Sequence, residues 1–186
     1  MEDKVELVET NNLTRKQNII LYFFIYAFLG WILENVFSYA VTGHYKEEGF
    51  LIGPFKPMYA IAMAWIIQLH NAFPNKIFLL FISIVIPTTV EYTTGIIMRK
   101  YFNKDYWDYF NERYNYKGII CLRFSIAWTI ISILTIEFLQ PFLIIRIYSI
   151  VKPIWPILAI LLIILLTFDE VYTLIKFKNK GQINLK

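Results

Sequence analysis

The chain has 186 residues, of which 58% are hydrophobic, with a formal net charge of +4 and a mean hydropathy of +0.51. A soluble domain of this size cannot conceal that much apolar surface, so a soluble globular fold is excluded and no room remains for a second domain. The basic residues sit in loops and tails beside apolar runs, which points to membrane topology and anionic lipid rather than nucleic acid, and the lone Cys121 rules out an internal disulfide or a Cys-based metal cluster.

Residues 1–17 form a polar tail of mixed charge. No small-x-small cleavage site follows the first apolar run, so a cleaved signal peptide is not expected. The expected fold is all-α: a polytopic transmembrane helix bundle of about five spans, with a re-entrant or interfacial loop after the first. A span needs about 20 apolar residues to cross a hydrocarbon core of roughly 30 Å. The first span runs from Asn18 to Val41 and contains Gly30, Trp31 and Glu34. In the next segment, Gly49, Gly53, Pro54 and Pro57 break any helix, yet Phe50, Leu51, Ile52 and Phe55 are apolar. Broken backbone at membrane depth must be covered by protein or line a wet cavity. The second span, Pro57 to His70, is short. The third runs from Lys76 to Met98 with Pro87 inside, where a kink is expected. A polar and aromatic loop, Arg99 to Lys117, leads to a fourth span from Gly118 to Leu139. Gln140 to Lys152 reads as interfacial. The fifth span covers Ile154 to Leu174, so the membrane domain occupies residues 18–174 and a basic tail residues 175–186.

Lys and Arg near the spans set the expected orientation. Eleven lie on the side of the first loop, the third loop and the C-terminal tail, against six on the other. That predicts a cell-membrane protein with its N-terminus outside and its C-terminus in the cytoplasm.

An ionisable residue at the bilayer centre costs roughly 2.5–3.5 kcal/mol on insertion scales and marks function by default. Glu34, Glu91, Arg123 and Asp169 all fall within roughly 7–11 Å of the same edge at 1.5 Å per residue. Gly30 and Glu34 share a helical face, as do Thr88, Glu91 and Gly95. Small residues beside an acid let another helix approach. The expected site is a polar pocket in which Glu34, Glu91 and Asp169 meet Arg123, with Arg99 at the rim and Trp31 alongside. Three carboxylates against one deep arginine require a protonated carboxyl, or a bound cation or amine. A structural ion pair holding helices in register is the plain alternative for Arg123, and an interfacial position for Asp169 and Glu170.

Eight aromatic residues lie between Tyr101 and Tyr116, among them Trp107 and Tyr109, interleaved with Asp105, Asp108 and Glu112. Such rings favour the headgroup layer. His44, Glu47 and Glu48 have a helical spacing that metal ligands can use, but the pattern is common in solvated loops and no metal site is assigned. No HExxH, GxSxG or P-loop motif occurs, so no catalytic residue, cofactor or built-in ATPase is assigned.

The segments LGWILENVFSYAVTG, EEGFLIGPFKPMYA and DYWDYFNERYNYKGIICLRFSIAW resemble a bacterial membrane-protein family described as ABC-transporter permease, type IV or CmpB-like. The shared positions are Gly30, Trp31 and Glu34; Gly49, Phe50, Leu51, Gly53 and Pro54; and Trp107, Asp108 and Tyr109. A second group comprises Asn115, Gly118, Ile120, Cys121, Leu122, Ser125 and Trp128. The resemblance spans Phe28 to Trp128 and implies a transport class without a catalytic assignment. Gly49, Gly53, Pro54, Trp107, Asp108, Tyr109 and Asn115 would then form a loop or gate at the pocket.

Three functions follow. A transport-associated permease subunit needs a homo-oligomer or a membrane partner, and a separate ATPase. A membrane-embedded enzyme or lipid-headgroup binder would use Glu34, Glu91 and Arg123. A scaffold or regulatory protein would use its charges only for helix packing.

Overall fold

The computed structural model describes residues 15–45 and 49–181, so Glu47 and Glu48 lie outside the described residues. Six α-helices account for most of the described residues. They are α1 Arg15–Thr42, α2 Pro57–Ala72, α3 Lys76–Phe102, α4 Leu122–Leu134, α5 Gln140–Val151 and α6 Trp155–Asn179. A π-helical turn, Thr135–Leu139, joins α4 to α5 without a break.

Four stretches have the length and apolarity to cross a membrane: Ile19–Thr42, Lys76–Phe102, Leu122–Phe142 and Trp155–Asn179. The short second span, α2, has 16 residues. At 1.5 Å per residue it is about 24 Å long, less than a full hydrocarbon core. The preceding segment supplies the rest. Lys56 N donates to the carbonyl of Ala27 at 2.9 Å, and the Phe55 ring meets Phe24 edge-on at 5.7 Å. Ala27 lies about 22 Å along α1 from Thr42. The chain therefore runs back alongside α1 past its midpoint before α2 begins, forming the re-entrant segment expected from its glycines and prolines.

Tyr26 and Ala27 of α1, Ala60 and Ile66 of α2, and Leu79 and Ile82 of α3 form the main core. Trp155 and Ala159 dock the start of α6 on Leu21 of α1. The rest of α6 is peripheral, with only 6% of its most apolar window buried.

Pro87 lies inside α3 and cannot donate to the Ser83 carbonyl one turn earlier. The Thr129 hydroxyl of α4 lies 3.3 Å from that carbonyl and 2.7 Å from Ser125 O in its own helix. A neighbouring helix thus supplies polar contact where proline removed it, as a membrane interior demands.

The fourth span begins at Leu122 rather than Gly118, because residues 115–121 form a two-stranded hairpin. Lys117 and Gly118 turn it with φ of 56° and 67°, values no helix accepts. The third and fifth spans run further than expected, to Phe102 and Asn179. Asn75 caps α3 by accepting from Ile77 N and Phe78 N at 2.8 and 3.1 Å. At the opposite end, the rings of Phe50, Phe102 and Phe177 pack together with centroids 4.9–5.7 Å apart. This cluster gathers the re-entrant segment and the ends of α3 and α6 at one face of the bundle.

Candidate functional site

Glu91 occupies the inward face of α3 and is 3% exposed. One oxygen, Oε1, accepts from the Tyr109 hydroxyl at 3.0 Å and from Trp128 Nε1 at 3.1 Å. The other, Oε2, is fully shielded and has no hydrogen-bond partner. No ammonium or guanidinium pairs with Glu91 among the described residues. Burial, and next the adjacent Glu91 carboxylate, hold the Tyr109 hydroxyl well above its ordinary pKa, so it remains a donor.

Glu34 of α1 stands beside it. Lys56, the last residue of the re-entrant segment, places Nζ 2.8 Å from Glu34 Oε2, and both side chains are 15% exposed. The Tyr59 side chain also hydrogen-bonds Glu34. The approach is close because Gly30 lies one turn before Glu34. A Cβ there would come within 2.5–2.8 Å of Tyr59.

Aromatic rings wall the space between the acids. Tyr59 meets Trp128 edge-on at 5.5 Å, and Tyr109 stacks on Phe124 at 4.6 Å. A cavity of about 340 Å³ is bounded by Glu34, Tyr59, Glu91, Tyr109, Phe124 and Trp128. An apolar cavity of about 330 Å³ shares Tyr59, Glu91 and Trp128 and extends to Pro87 and the π-helical turn. A third, of about 240 Å³, shares Glu34 and also touches Lys56 and Glu170.

The aromatic loop is a folded cap, held from within. Asn115 Nδ2 donates to Phe110 O and Glu112 O at 3.1 and 2.8 Å, and its Oδ1 accepts from Gly118 N at 3.1 Å. Trp107 Nε1 donates to Ile119 O at 2.8 Å, while Asp108 Oδ1 accepts from Phe110 N at 2.9 Å. Arg99 braces the cap from α3, with Nε 2.7 Å from Asp105 and Nη1 2.9 Å from Lys117 O. These bonds bring the Tyr109 hydroxyl to Glu91.

The structure brings Glu34 and Glu91 to one cavity but gives the other charged residues different neighbours. Arg123 is the second residue of α4, and its 74% exposed side chain pairs with Glu112 at 3.1 Å. Because the hairpin delays the helix, Arg123 starts at the bundle end and reaches outward. Asp169 accepts from Ile52 N at 3.0 Å and Gly53 N at 2.8 Å, tying α6 to the re-entrant segment. A Cβ at Gly53 would lie 2.9 Å from Asp169 Oδ2. Trp31 stacks on Phe28 at 5.9 Å and faces a separate cavity. Gly49 borders that same cavity, and Pro54 is exposed.

Lys56, Tyr59 and Trp128 also belong to the site, although composition and spacing assign them no role there. A lone lysine in an apolar segment at membrane depth implies a buried acid as partner, but the depth of Lys56 follows only from its contact with Ala27.

The fold is that of a multi-spanning α-helical membrane protein, with an acid-containing, ring-walled cavity. The family model described as "Putative ABC-transporter type IV" matches residues 21–174, and the chain belongs to that family. No curated protein and no solved structure matches it.

Proposed function

We propose that the chain is a permease-type subunit of a transport system and that the Glu34–Glu91 cavity takes a cationic solute, an organic amine or quaternary ammonium. The observation that carries this reading is Glu91: a buried carboxylate with one oxygen held by two donors and the other unpartnered. Tyr59, Tyr109 and Trp128 line the cavity beside it, and an aromatic face attracts an ammonium group by about 0.5–1 kcal/mol at exposed sites and about 2 kcal/mol when desolvated. Lys56 already balances Glu34, so a monocation suffices to compensate the set. The chain has no nucleotide-binding loop, so ATP-driven movement needs a separate ATPase subunit. The peripheral α6 offers an apolar face for lipid, a second copy or a partner membrane subunit. The charge bias sets the site near the cytoplasmic face of the cell membrane in this reading.

The test is tetraethylammonium binding to the full chain in nanodiscs, read by quenching of tryptophan fluorescence. Saturable quenching is expected in the wild type. Glu91→Gln keeps the shape and removes the charge, so its affinity should fall at least tenfold, about 1.4 kcal/mol. Unchanged binding in a Glu91→Gln variant of normal thermal stability, or no binding by the wild type, overturns the reading.

A further inference from the structure

A fourth cavity, of about 380 Å³, lies between α1, the re-entrant segment and α6 and is chemically the reverse of the Glu91 site. Lys56, Lys104, Lys176 and Lys180 border it, and no carboxylate does among the described residues. Lys56 is committed to Glu34. Lys176 and Lys180 carry the argument. Lys176 follows Thr173 at i+3 on the same face of α6, and Lys180 is the residue that caps the helix end. Thr173 is 1% exposed and borders the cavity, and its hydroxyl is shielded from solvent without a hydrogen-bond partner. A buried hydroxyl without a partner is costly, and two ammonium groups bordering one cavity repel each other, so both features call for an acceptor-rich anion. On the α1 side, Trp31 and Asn35 close the wall.

We infer that this cavity is a binding site for a phosphate group, with Lys176 and Lys180 as its cationic ligands and the Thr173 hydroxyl donating to a phosphate oxygen. Its position where α6 leaves the apolar zone suits the headgroup of an anionic phospholipid, and the same chemistry would hold a soluble phosphate compound. The inference is independent of the cationic-solute reading, since none of these three residues borders the Glu91 cavity.

The full chain purified in detergent tests it in two arms. Native mass spectrometry counts retained phosphatidylglycerol against phosphatidylcholine. Thermal shift compares inorganic phosphate with chloride at matched ionic strength. Retention of phosphatidylglycerol without a phosphate response assigns a lipid headgroup, and a phosphate response assigns a soluble ligand. In whichever arm responds, Lys176→Gln/Lys180→Gln should weaken binding at least fivefold. Thr173→Val, close in volume, should weaken it two- to fivefold. Lys178→Gln, on another face of the same helix, should leave it unchanged. Equal losses in Lys178→Gln and the double variant reveal diffuse surface attraction and overturn the inference. So does the absence of binding in both arms.

Discussion

Gly30 carries much of the acid–aromatic site although it has no side chain to contribute. It lets Tyr59 press against α1 one turn below Glu34, where a Cβ would sit 2.5 Å from the ring's Cγ. Tyr59 in turn borders both large cavities that touch Glu91. Gly30→Ala must push that ring aside, and overpacking of this kind costs about 1–3 kcal/mol. A lower melting temperature in detergent, together with altered fluorescence from the neighbouring Trp128, is the expected outcome, and an unchanged melting curve would show that the ring yields freely. The pairing of a small residue with an acid was legible in the sequence, because Gly30 and Glu34 are separated by one helical turn. So was the inward face of Glu91. The partner of Arg123 was not. Its register depends on where α4 begins, and the apolar run from Gly118 onward hides a hairpin whose left-handed Lys117 leaves no compositional trace. An arginine assigned to membrane depth therefore sits at the bundle end beside Glu112.

Among the elements, the re-entrant segment depends most on outside support. Its glycines and prolines leave backbone N–H groups without helical partners, and two of these, at Ile52 and Gly53, donate to Asp169. Hydrogen bonds to a charged acceptor contribute about 1.5–3 kcal/mol each. Asp169→Ala removes both at once and should destabilise the chain by roughly 2 kcal/mol, allowing for partial exposure of the site. Limited proteolysis is the sharper check. New cleavage between Gly49 and Pro57, at temperatures where the helices remain intact by circular dichroism, shows that the segment has come loose. Cleavage identical to the wild type would mean that the Phe50–Phe102–Phe177 cluster and the Lys56–Ala27 bond hold it alone. The broken character of this segment was readable from Gly49, Gly53, Pro54 and Pro57. Its depth was not, since only the tertiary contact with Ala27 sets how far it travels. Likewise, the density of rings from Tyr101 to Tyr116 predicts an interfacial location but not the Asn115-centred hydrogen bonds that shape them into a cap.

For the molecule as a whole, the number of crossings decides which side each site faces. Among the described residues four helices are long and apolar enough to cross a membrane, and four crossings would put both termini on one side. The re-entrant segment followed by α2 would add a fifth, broken crossing, because the chain passes the midpoint of α1 before α2 begins. The arrangement of ends agrees. Trp155, opening α6, packs on Leu21 near the start of α1, whereas Phe177, near its close, packs beside Phe50 and Phe102. The start of α1 and the end of α6 thus lie at opposite faces. From the basic-residue bias we propose that the Lys176–Lys180 end faces the cytoplasm. Cysteine labelling tests which side each face takes. The native Cys121 is 2% exposed and can be replaced by alanine to give a silent background. On intact cells, a membrane-impermeant maleimide should label Lys76→Cys, at the exposed start of α3, and should reach Lys178→Cys only after lysis. The reverse pattern keeps five crossings but inverts the protein, moving both candidate sites to the outer face. Labelling of both positions on intact cells would place the start of α3 and the end of α6 on one side, which the three crossings between them do not allow.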